Sequence, residues 1–317
     1  MKGLQWKMES QRRQYGKALV ELGKERGDIV VLDADLSSST RTADFAAAFP
    51  ERFFNVGIAE QNMMDTAAGL AASGKTVFVS TFAVFGTGRC YDQIRQSISY
   101  PNMNIKIVAS HAGITVGGDG ASHQIVEDLA LMRVLPNMTV LVPADSPETY
   151  KAVKAISKTK GPVYVRIGRA DVPSITDANT PFEINQCPVM RDGKDVTLIG
   201  CGIMVSKCLE AAEELQKHGV DARVLNLHTI KPLEEKTIVR AARETGGVVT
   251  AEEHSVIMGM GSAVAMVLVE NFHVPMKRVG IPDVFGESGA CDELMNKYGL
   301  TVDNIVEAAH DVLKRKK

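Results

Sequence analysis

Residues 53–93 have the sequence FFNVGIAEQNMMDTAAGLAASGKTVFVSTFAVFGTGRCYDQ. An apolar entry leads into a helical pattern rich in Ala and Gly, and a β-branched run at 76–80 follows it. Helices that alternate with short apolar runs are typical of a parallel α/β sheet. Because parallel strands present their carboxyl ends at one edge, the residues just after each run are the first candidates for ligand binding.

Glu60 lies where the apolar entry turns into the helix. A carboxylate at such a packed junction is expected to be partly buried, and burial requires either a partner or a raised pKa. Both conditions suit proton transfer. The alternative is an ordinary acid at a helix N-terminus, where it complements the helix dipole. The local sequence leaves both interpretations open.

Short apolar runs and amphipathic helical patterns alternate along most of the chain. In the first half, helices are predicted at 10–26, 58–73, 87–99, 123–133 and 146–158, and strands at 29–32, 76–80, 104–109, 138–142 and 163–167. A proline-containing segment with little periodicity then precedes a second alternating region. The pattern predicts an α/β fold with two doubly wound domains, 1–172 and a smaller 193–317, joined by a linker at 173–192.

The composition excludes several classes of protein. The chain has 36 basic and 38 acidic residues and a formal charge of -2, which argues against a surface dedicated to nucleic acid or anionic membrane. It has no apolar run of membrane-spanning length, and its N-terminus lacks a signal-peptide pattern. The five scattered cysteines contain no CxxC pair, which favours reduced thiols and a cytoplasmic location.

Phe82 and Phe85 lie three residues apart, just after the predicted strand at 76–80. Aromatic residues are sparse in this chain, at 5% of the composition, so a pair at a strand end is notable. They form either ordinary core packing or a slot for a flat heteroaromatic ring.

A glycine-rich loop, residues 110–124, contains His111, Asp119 and His123. Its glycines permit positive φ angles and close approach of a ligand. Imidazoles suit hydrogen bonding to hydroxyls and phosphates, or proton transfer. A metal site is the competing interpretation, but the loop has no second carboxylate or thiol at ligand spacing. The GDG at 118–120 is also compatible with a simple turn.

Several arginines lie near these loops: Arg12, Arg13, Arg41, Arg89, Arg166 and Arg169. Guanidinium geometry suits a phosphate, although any single arginine taken alone is more simply a solvated or ion-paired surface residue. The sequence GMGSAV, residues 259–264, opens a predicted helix but fits neither a dinucleotide-binding nor a P-loop pattern. We interpret it as helix-entry packing.

Five motifs in the family order resemble the C-terminal half of a transketolase, and the resemblance covers essentially the whole chain. They are DADLSSS, FFNVGIAEQNM, the STFAVF block, the spacing H-x7-D-x3-HQ from His111 to Gln124, and GPVYVRIGR. The resemblance implies a pyrimidine-binding domain of a thiamine diphosphate enzyme, followed by a transketolase C-terminal domain.

The resemblance assigns cofactor roles to four residues. Glu60 is similar to the glutamate that hydrogen-bonds the aminopyrimidine of thiamine diphosphate and promotes its reactive tautomer. Phe82 and Phe85 are similar to aromatic residues around that ring. Asp35 is similar to an acid near the cofactor. These roles come from the resemblance alone.

The resemblance also implies the reaction and its substrate contacts. A two-carbon ketol unit passes from a ketose phosphate to an aldose phosphate. His111 and His123, counted as catalytic with Glu60, and also Asp119 are similar to groups that contact sugar hydroxyls or phosphate. The remaining residues assigned to substrate binding are Ser39, Arg169, Arg12 and Arg89.

Two departures from the family pattern bear on these assignments. Gly88 stands where many members have a third aromatic residue. The sequence of Arg89 followed by CYDQ is similar to that of deoxyxylulose-phosphate synthases. The identity of the sugar substrate therefore stays open. The diphosphate motif, a GDG followed by an asparagine pair, does not occur in this sequence, and we expect no N-terminal domain that would hold it before residue 10.

The missing motif implies a partner, an N-terminal transketolase subunit that binds the diphosphate and Mg²⁺ or Ca²⁺. We expect an α2β2 assembly in which this chain also contacts a second copy of itself and supplies no metal ligand. Other functions stay open: a deoxyxylulose-phosphate-synthase-like enzyme, the β subunit of a 2-oxo acid dehydrogenase, or, in another class, a non-catalytic assembly subunit.

Overall fold

The structure is a computed structural model that describes residues 4–316. The outer ends of the two predicted domains, residues 1–3 and Lys317, lie outside this range. The strands within it, in chain order, are β1 (Met8–Glu9), β2 (Ile29–Asp33), β3 (Phe53–Asn55), β4 (Thr76–Ser80), β5 (Ile105–Ala109), β6 (Thr139–Leu141), β7 (Val163–Arg166), β8 (Val172–Pro173), β9 (Val189–Arg191), β10 (Val196–Gly200), β11 (Ala222–Asn226), β12 (Thr229–Lys231), β13 (Val248–Ser255) and β14 (Met276–Ile281).

Helices connect most of these strands, as the alternating pattern predicts. They are α1 (Gln11–Glu25), α2 (Ser37–Thr40), α3 (Ala43–Ala48), α4 (Glu60–Ala72), α5 (Tyr91–Gln93), α6 (Asp128–Val134), α7 (Ser146–Ile156), α8 (Met204–Lys217), α9 (Glu235–Thr245), α10 (Met260–Asn271), α11 (Cys291–Lys297) and α12 (Val302–Arg315). Short 3₁₀ segments cover Pro50–Arg52 and Ile114–Asp119. No helix among residues 4–316 combines the length and the apolar composition needed to cross a bilayer.

Most of the strands form two mainly parallel sheets, and β1 and β8 pair antiparallel in a separate two-stranded sheet. The first has seven strands in the order β12-β6-β7-β5-β4-β2-β3, and every neighbouring pair except β12 and β6 is parallel. The second has five strands in the order β14-β13-β10-β11-β9, and only β9 runs antiparallel. Strands β2, β4, β5 and β10 are buried at every residue, as expected for parallel strands covered on both faces. The predicted α/β fold class is confirmed.

Two strands depart from the predicted division of the chain. β9 lies inside the predicted linker at 173–192 but pairs with β11 at the edge of the second sheet. β12 lies inside the predicted second domain but pairs with β6 and so extends the first sheet. The linker is therefore not free along its whole length. Strands of three residues are too short to show a periodic pattern in the sequence.

The predicted helix at 87–99 differs in form from the helix in the structure. Two π-helical segments, Val84–Arg89 and Ile94–Ser99, flank the short α5. A π-helical turn accommodates an extra residue, and such turns are frequent at functional sites. The hydroxyl of Thr87 donates to the carbonyl of Ala83 at 2.7 Å and so satisfies a backbone acceptor in this wider turn.

The predicted helix at 123–133 begins five residues late, at Asp128. His123 and Gln124 instead belong to the preceding loop, where their backbone N–H groups both donate to the carbonyl of Gly120. The carbonyl of Ile125 accepts a hydrogen bond from the N–H of Gly113, at 3.0 Å. These bonds to the glycine-rich loop take the place of a first helical turn.

Helix α1 approaches α3 closely because it carries Gly23 at the contact. A Cβ atom at this position would lie 2.4 Å from a ring carbon of Phe49 and 2.7 Å from one of Phe45. Phe45 is fully buried, so its ring has little room to move. The glycine is therefore required by packing rather than by a turn.

We expect Gly23→Ala to lower the free energy of unfolding by about 1–3 kcal/mol, because the added methyl group overpacks the contact. Gly69→Ala in α4 is the matched control, since nothing lies within 4 Å of a Cβ atom there. In a helix, alanine is more stable than glycine by up to about 1 kcal/mol, so this variant should be stabilised. Urea denaturation measures both effects, and a shift of the same sign in the two variants would contradict this account of Gly23.

Candidate functional site

The carboxyl ends of neighbouring strands place the candidate residues at one edge of the first sheet. Phe82 follows β4 and His111 follows β5, and these two strands are adjacent and parallel. An isolated parallel bridge between Phe82 and Ser110 continues their pairing beyond the strands. The sheet therefore holds Phe82 next to His111.

Two phenylalanines and two histidines form an aromatic cluster at this edge. The rings of Phe82 and His111 stack with their centroids 3.7 Å apart. Phe85 stacks on Phe82 at 5.9 Å, and the ring of His123 meets Phe85 edge-on at 5.4 Å. Phe82 and His111 are buried, whereas Phe85 and His123 are half-buried. The cluster thus has a buried side and an accessible side, and it unites four of the predicted site residues.

Glu60 is the first residue of α4, and its side chain is only 3% exposed. Its partner is Arg89, whose Nη1 lies 2.8 Å from Glu60 Oε1. The guanidinium carbon of Arg89 lies over the ring of Phe85, 4.5 Å from the centroid. Both interpretations of the sequence therefore describe a real feature: the acid is at a helix N-terminus, and it is buried with a partner beside an aromatic ring.

His111 is held neutral by its surroundings. Burial, together with smaller effects of the nearby charges of Arg12, Arg169 and His123, lowers its pKa to about 3. Its Nδ1 lies 2.9 Å from the hydroxyl of Ser110. At physiological pH the ring is therefore uncharged, so it offers a ligand hydrogen bonds rather than a positive charge.

Arg12 connects two of the other predicted substrate contacts. Its Nη1 donates to the carbonyl of Ser39 at 2.8 Å, and its Nη2 donates to the carbonyl of Arg169 at 2.9 Å. Arg169 in turn donates to the carbonyl of Val116, at 2.8 Å, in the glycine-rich loop. The guanidinium groups are held by backbone carbonyls, so their charges are available to an anion.

Two predicted acids lie apart from these clusters. Asp35 is exposed with φ 63°, and it exchanges two hydrogen bonds with Asn55, at 3.0 and 3.1 Å. Asp119 is exposed and has no side-chain hydrogen bond to any residue in the described range 4–316. The structure does not connect either acid to Glu60 or to the aromatic cluster.

The acid that organises the DADLSSS loop is Asp33, which the sequence analysis missed. Its fully buried carboxylate accepts hydrogen bonds from the N–H of Leu36 and from the hydroxyls of Thr40 and Thr42. Burial raises the pKa of Asp33, against these bonds, which lower it. Its position as the last residue of a buried strand was the available signal.

A buried ionic network behind the site was also missed. Arg166 Nε lies 2.9 Å from Asp128 Oδ2, and the same oxygen accepts from the hydroxyl of Tyr164 at 2.6 Å. Arg166 Nη2 donates to the carbonyl of Glu253 in the second domain at 2.7 Å. Burial raises the pKa of the Glu253 carboxyl, and neighbouring Arg166 opposes that shift. The sequence singles out only Arg166, because acids 38 and 87 residues away have no local signature.

The second domain supports the glycine-rich loop from behind. Glu253 Oε1 accepts a hydrogen bond from the N–H of Thr115 at 2.8 Å. Gly113 has φ 78°, and a Cβ atom there would lie 2.2 Å from the same carboxylate. Gln124 Nε2 donates to the carbonyl of Glu287, also in the second domain, at 2.9 Å. The position of the loop therefore depends on both domains.

The GMGSAV helix entry is already occupied by a carboxylate of the chain itself. Glu252 accepts hydrogen bonds from the N–H groups of Met260 and Gly261, at 2.6 and 2.8 Å. This carboxylate is fully buried. The helix N-terminus is thus a packing contact, in agreement with the interpretation of the sequence.

Two family profiles together cover most of the chain. Residues 8–174 match the transketolase pyrimidine-binding domain, and residues 185–305 match the transketolase C-terminal domain. The chain belongs to the transketolase family. Glu60, the aromatic cluster and the glycine-rich loop all lie within the first match.

Individual members of the transketolase family match this chain over nearly its whole length. A Methanocaldococcus jannaschii protein named "Putative transketolase C-terminal section" is 48% identical and covers 96% of this chain and 96% of itself. A 6-deoxy-6-sulfo-D-fructose transketolase subunit of a Clostridium species is 45% identical, covering 96% and 95%. A solved structure described as "Split gene transketolase, inactive beta4 tetramer" has a TM-score of 0.92 at 55% identity and covers 98% of this chain and 100% of that chain. The chain thus corresponds to the C-terminal section of a transketolase.

The lowered pKa of His111 makes the stability of this transketolase-family chain depend on pH. Its folded pKa of about 3 lies below the unfolded value of about 6.5, so the unfolded chain binds the proton first as the pH falls. The contribution of His111 to stability is therefore complete above about pH 6.5 and decreases as the pH falls toward 3. We expect His111→Gln to lose less unfolding free energy than wild type between about pH 7 and pH 5. Urea denaturation at each pH tests this, and equal slopes would contradict it.

Proposed function

We propose that this chain is the subunit of a split transketolase that binds the pyrimidine half of thiamine diphosphate. The proposed reaction transfers a two-carbon ketol unit from a ketose phosphate to an aldose phosphate in the cytoplasm. The observation that carries the proposal is the buried Glu60 carboxylate, which meets a planar cation over the ring of Phe85. Family membership supports the reaction class.

The residues around Glu60 fit an aminopyrimidine. Their slot already accommodates a planar group with N–H donors, the guanidinium of Arg89. Glu60 would hold the ring through a hydrogen bond, and Phe82 and Phe85 would hold its face by stacking. When bound, thiamine diphosphate supplies the carbon nucleophile that accepts and carries the ketol unit. Asp35 remains a proposed cofactor contact without a structural link to this slot.

Glu60 is the proposed acid–base group of this chain. A buried carboxylate beside the ring exchanges a proton with a ring nitrogen more effectively than a solvated one, because little solvent competes for the hydrogen bond. Its place at the N-terminus of α4 supplies a favourable dipole for the ionised form. With the cofactor bound, Glu60 would select the protonation state of the ring.

The two histidines are proposed to position the sugar and to move its hydroxyl protons. His111 is neutral at physiological pH, and its Nδ1 is bonded to Ser110, so Nε2 is the ring nitrogen left for a substrate hydroxyl. His123 is half-buried at the accessible side of the cluster, with Nδ1 3.0 Å from Ser122 Oγ. Asp119 is exposed in the same loop and is proposed to contact a further hydroxyl.

An anionic group of the substrate is proposed to bind at Arg12, Arg169 and Ser39, with Arg89 as a further contact. The backbone bonds of Arg12 and Arg169 hold two positive charges near His111. Guanidinium groups bind tetrahedral oxyanions such as phosphate and sulfonate with similar geometry. A relative named for a sulfonated fructose supports this class of substrate.

A partner subunit is proposed to hold the diphosphate and its Mg²⁺ or Ca²⁺. The relative described as an inactive β4 tetramer supports this view, because that assembly consists of β chains and is described as inactive. We therefore propose an α2β2 complex of this chain with an N-terminal transketolase subunit, in which two copies of this chain also meet.

In the reconstituted complex, we expect Glu60→Gln to lower kcat for ketol transfer by at least about a hundredfold. The amide keeps the size of the side chain but cannot exchange a proton with the ring nitrogen, and such groups contribute roughly 10²–10⁴-fold. Steady-state kinetics with a ketose phosphate donor and an aldose phosphate acceptor measures the change. The expected loss lies in kcat rather than in KM.

Glu51→Gln is the control, because Glu51 is an exposed acid in the 3₁₀ segment before β3. It should behave as wild type. Size-exclusion chromatography should show that both variants still assemble with the partner. Full activity of assembled Glu60→Gln would overturn the assignment of Glu60 and with it the proposed function.

The same complex distinguishes a transketolase from a 2-oxo acid dehydrogenase β subunit. We expect turnover of a ketose phosphate with an aldose acceptor and none of a 2-oxo acid such as pyruvate, since His111 and His123 suit a polyhydroxylated chain. A coupled assay for the released aldose and an assay for carbon dioxide release measure the two activities. Decarboxylation without ketol transfer would refute the proposal.

A further inference from the structure

We propose that Arg89 occupies the ring slot of the free subunit and must leave Glu60 when the cofactor binds. The inference rests on the proposed function, since it concerns the same slot. Within this slot, the guanidinium of Arg89 takes the place of the aminopyrimidine and competes with it for Glu60 and Phe85. The free subunit then keeps Glu60 paired until a cofactor arrives.

The geometry places one guanidinium in contact with both walls of the slot. Arg89 Nη1 lies 2.8 Å from Glu60 Oε1, and its guanidinium carbon lies 4.5 Å from the centroid of the Phe85 ring. Among residues 4–316, Arg89 is the sole side-chain hydrogen-bond partner of the Glu60 carboxylate. A ring that stacks on Phe85 and bonds to Glu60 needs the volume that this guanidinium fills.

The chemistry of the two groups is similar. A guanidinium and an aminopyrimidine are both flat, both carry N–H donors in the plane, and both stack on an aromatic face. Lysine has no planar face and would reproduce only the charge. This similarity explains how the slot stays filled by a residue of the chain without disturbing Glu60 or Phe85.

The local backbone makes Arg89 suitable for leaving the slot. It is the last residue of the π-helical segment Val84–Arg89, and Gly88 before it is exposed with no atom within 4 Å of a Cβ position. Its carbonyl is held by Gln61 Nε2 at 3.1 Å, whereas its side chain is 47% exposed. The backbone is thus anchored to α4 while the side chain has open space to rotate into.

The ion pair between Arg89 and Glu60 is strong enough to compete with the cofactor and weak enough to be displaced by it. The Arg89 side chain is nearly half exposed, so water competes with Glu60 and Phe85 for its guanidinium. A competitor that fills a site in most molecules reduces the apparent affinity of the ligand by the fraction of sites left open. Once displaced, Arg89 is free to meet the anionic substrate, the role proposed for it above.

We expect Arg89→Ala to tighten thiamine diphosphate binding by the assembled complex roughly three- to tenfold, because the slot no longer has to be emptied. Isothermal titration calorimetry with Mg²⁺ present measures the dissociation constant. Arg89→Lys keeps the charge without the planar face, so its dissociation constant should lie between those of wild type and Arg89→Ala. Arg95→Ala, at an exposed position in the next π-helical segment, is the matched control and should bind as wild type.

The effect should depend on Glu60. In the Glu60→Gln background, Arg89→Ala should change the dissociation constant by less than twofold, because the ion pair is already lost. If Arg89→Ala binds the cofactor as wild type does or more weakly, while wild type binds normally, the inference about Arg89 is overturned and the proposed function stands. If assembled wild type binds no thiamine diphosphate, both are overturned.

Discussion

The guanidinium of Arg166 is buried, and the rest of the site depends on how its charge is compensated. A buried charge without a partner destabilises the folded protein. Removing one partner of a buried ion pair typically costs about 3–5 kcal/mol of stability. Here the partners come from two domains: Asp128 at the start of α6 and Glu253 in β13. Glu253 also holds Thr115, so one electrostatic constraint fixes the domain contact and the glycine-rich loop together.

The two domains therefore contribute to the site in different ways. The first supplies the proposed ligand-binding groups, because the carboxyl ends of β4 and β5 bring Phe82 and His111 into contact. The second supplies support: Glu253 lies against Gly113, and the carbonyl of Glu287 holds Gln124. The proposed sugar-binding histidines thus lie on a loop that the C-terminal domain keeps in place.

The sequence was informative wherever local pattern and parallel strand order act together. Phe82, His111 and His123 could be grouped because each follows a buried run, and parallel strands end at one edge. The contact between Glu60 and Arg89 could not be predicted, because Arg89 lies at the end of a π-helical segment that has no signature in the sequence. Asp128 and Glu253 were missed because they pair with Arg166 only in the folded chain, although they lie 125 residues apart in sequence (253 − 128).

Strand β12 has a consequence for the independence of the two halves of the chain. It completes the first sheet beside β6, although most of its sequence neighbours belong to the second domain. A fragment cut at the linker would leave the backbone N–H and C=O groups of β6 unpaired along an open edge, which is a template for aggregation. The first domain therefore depends on its neighbour for a complete sheet, and dissection of this protein into separately expressed domains should retain residues 229–231 with the first.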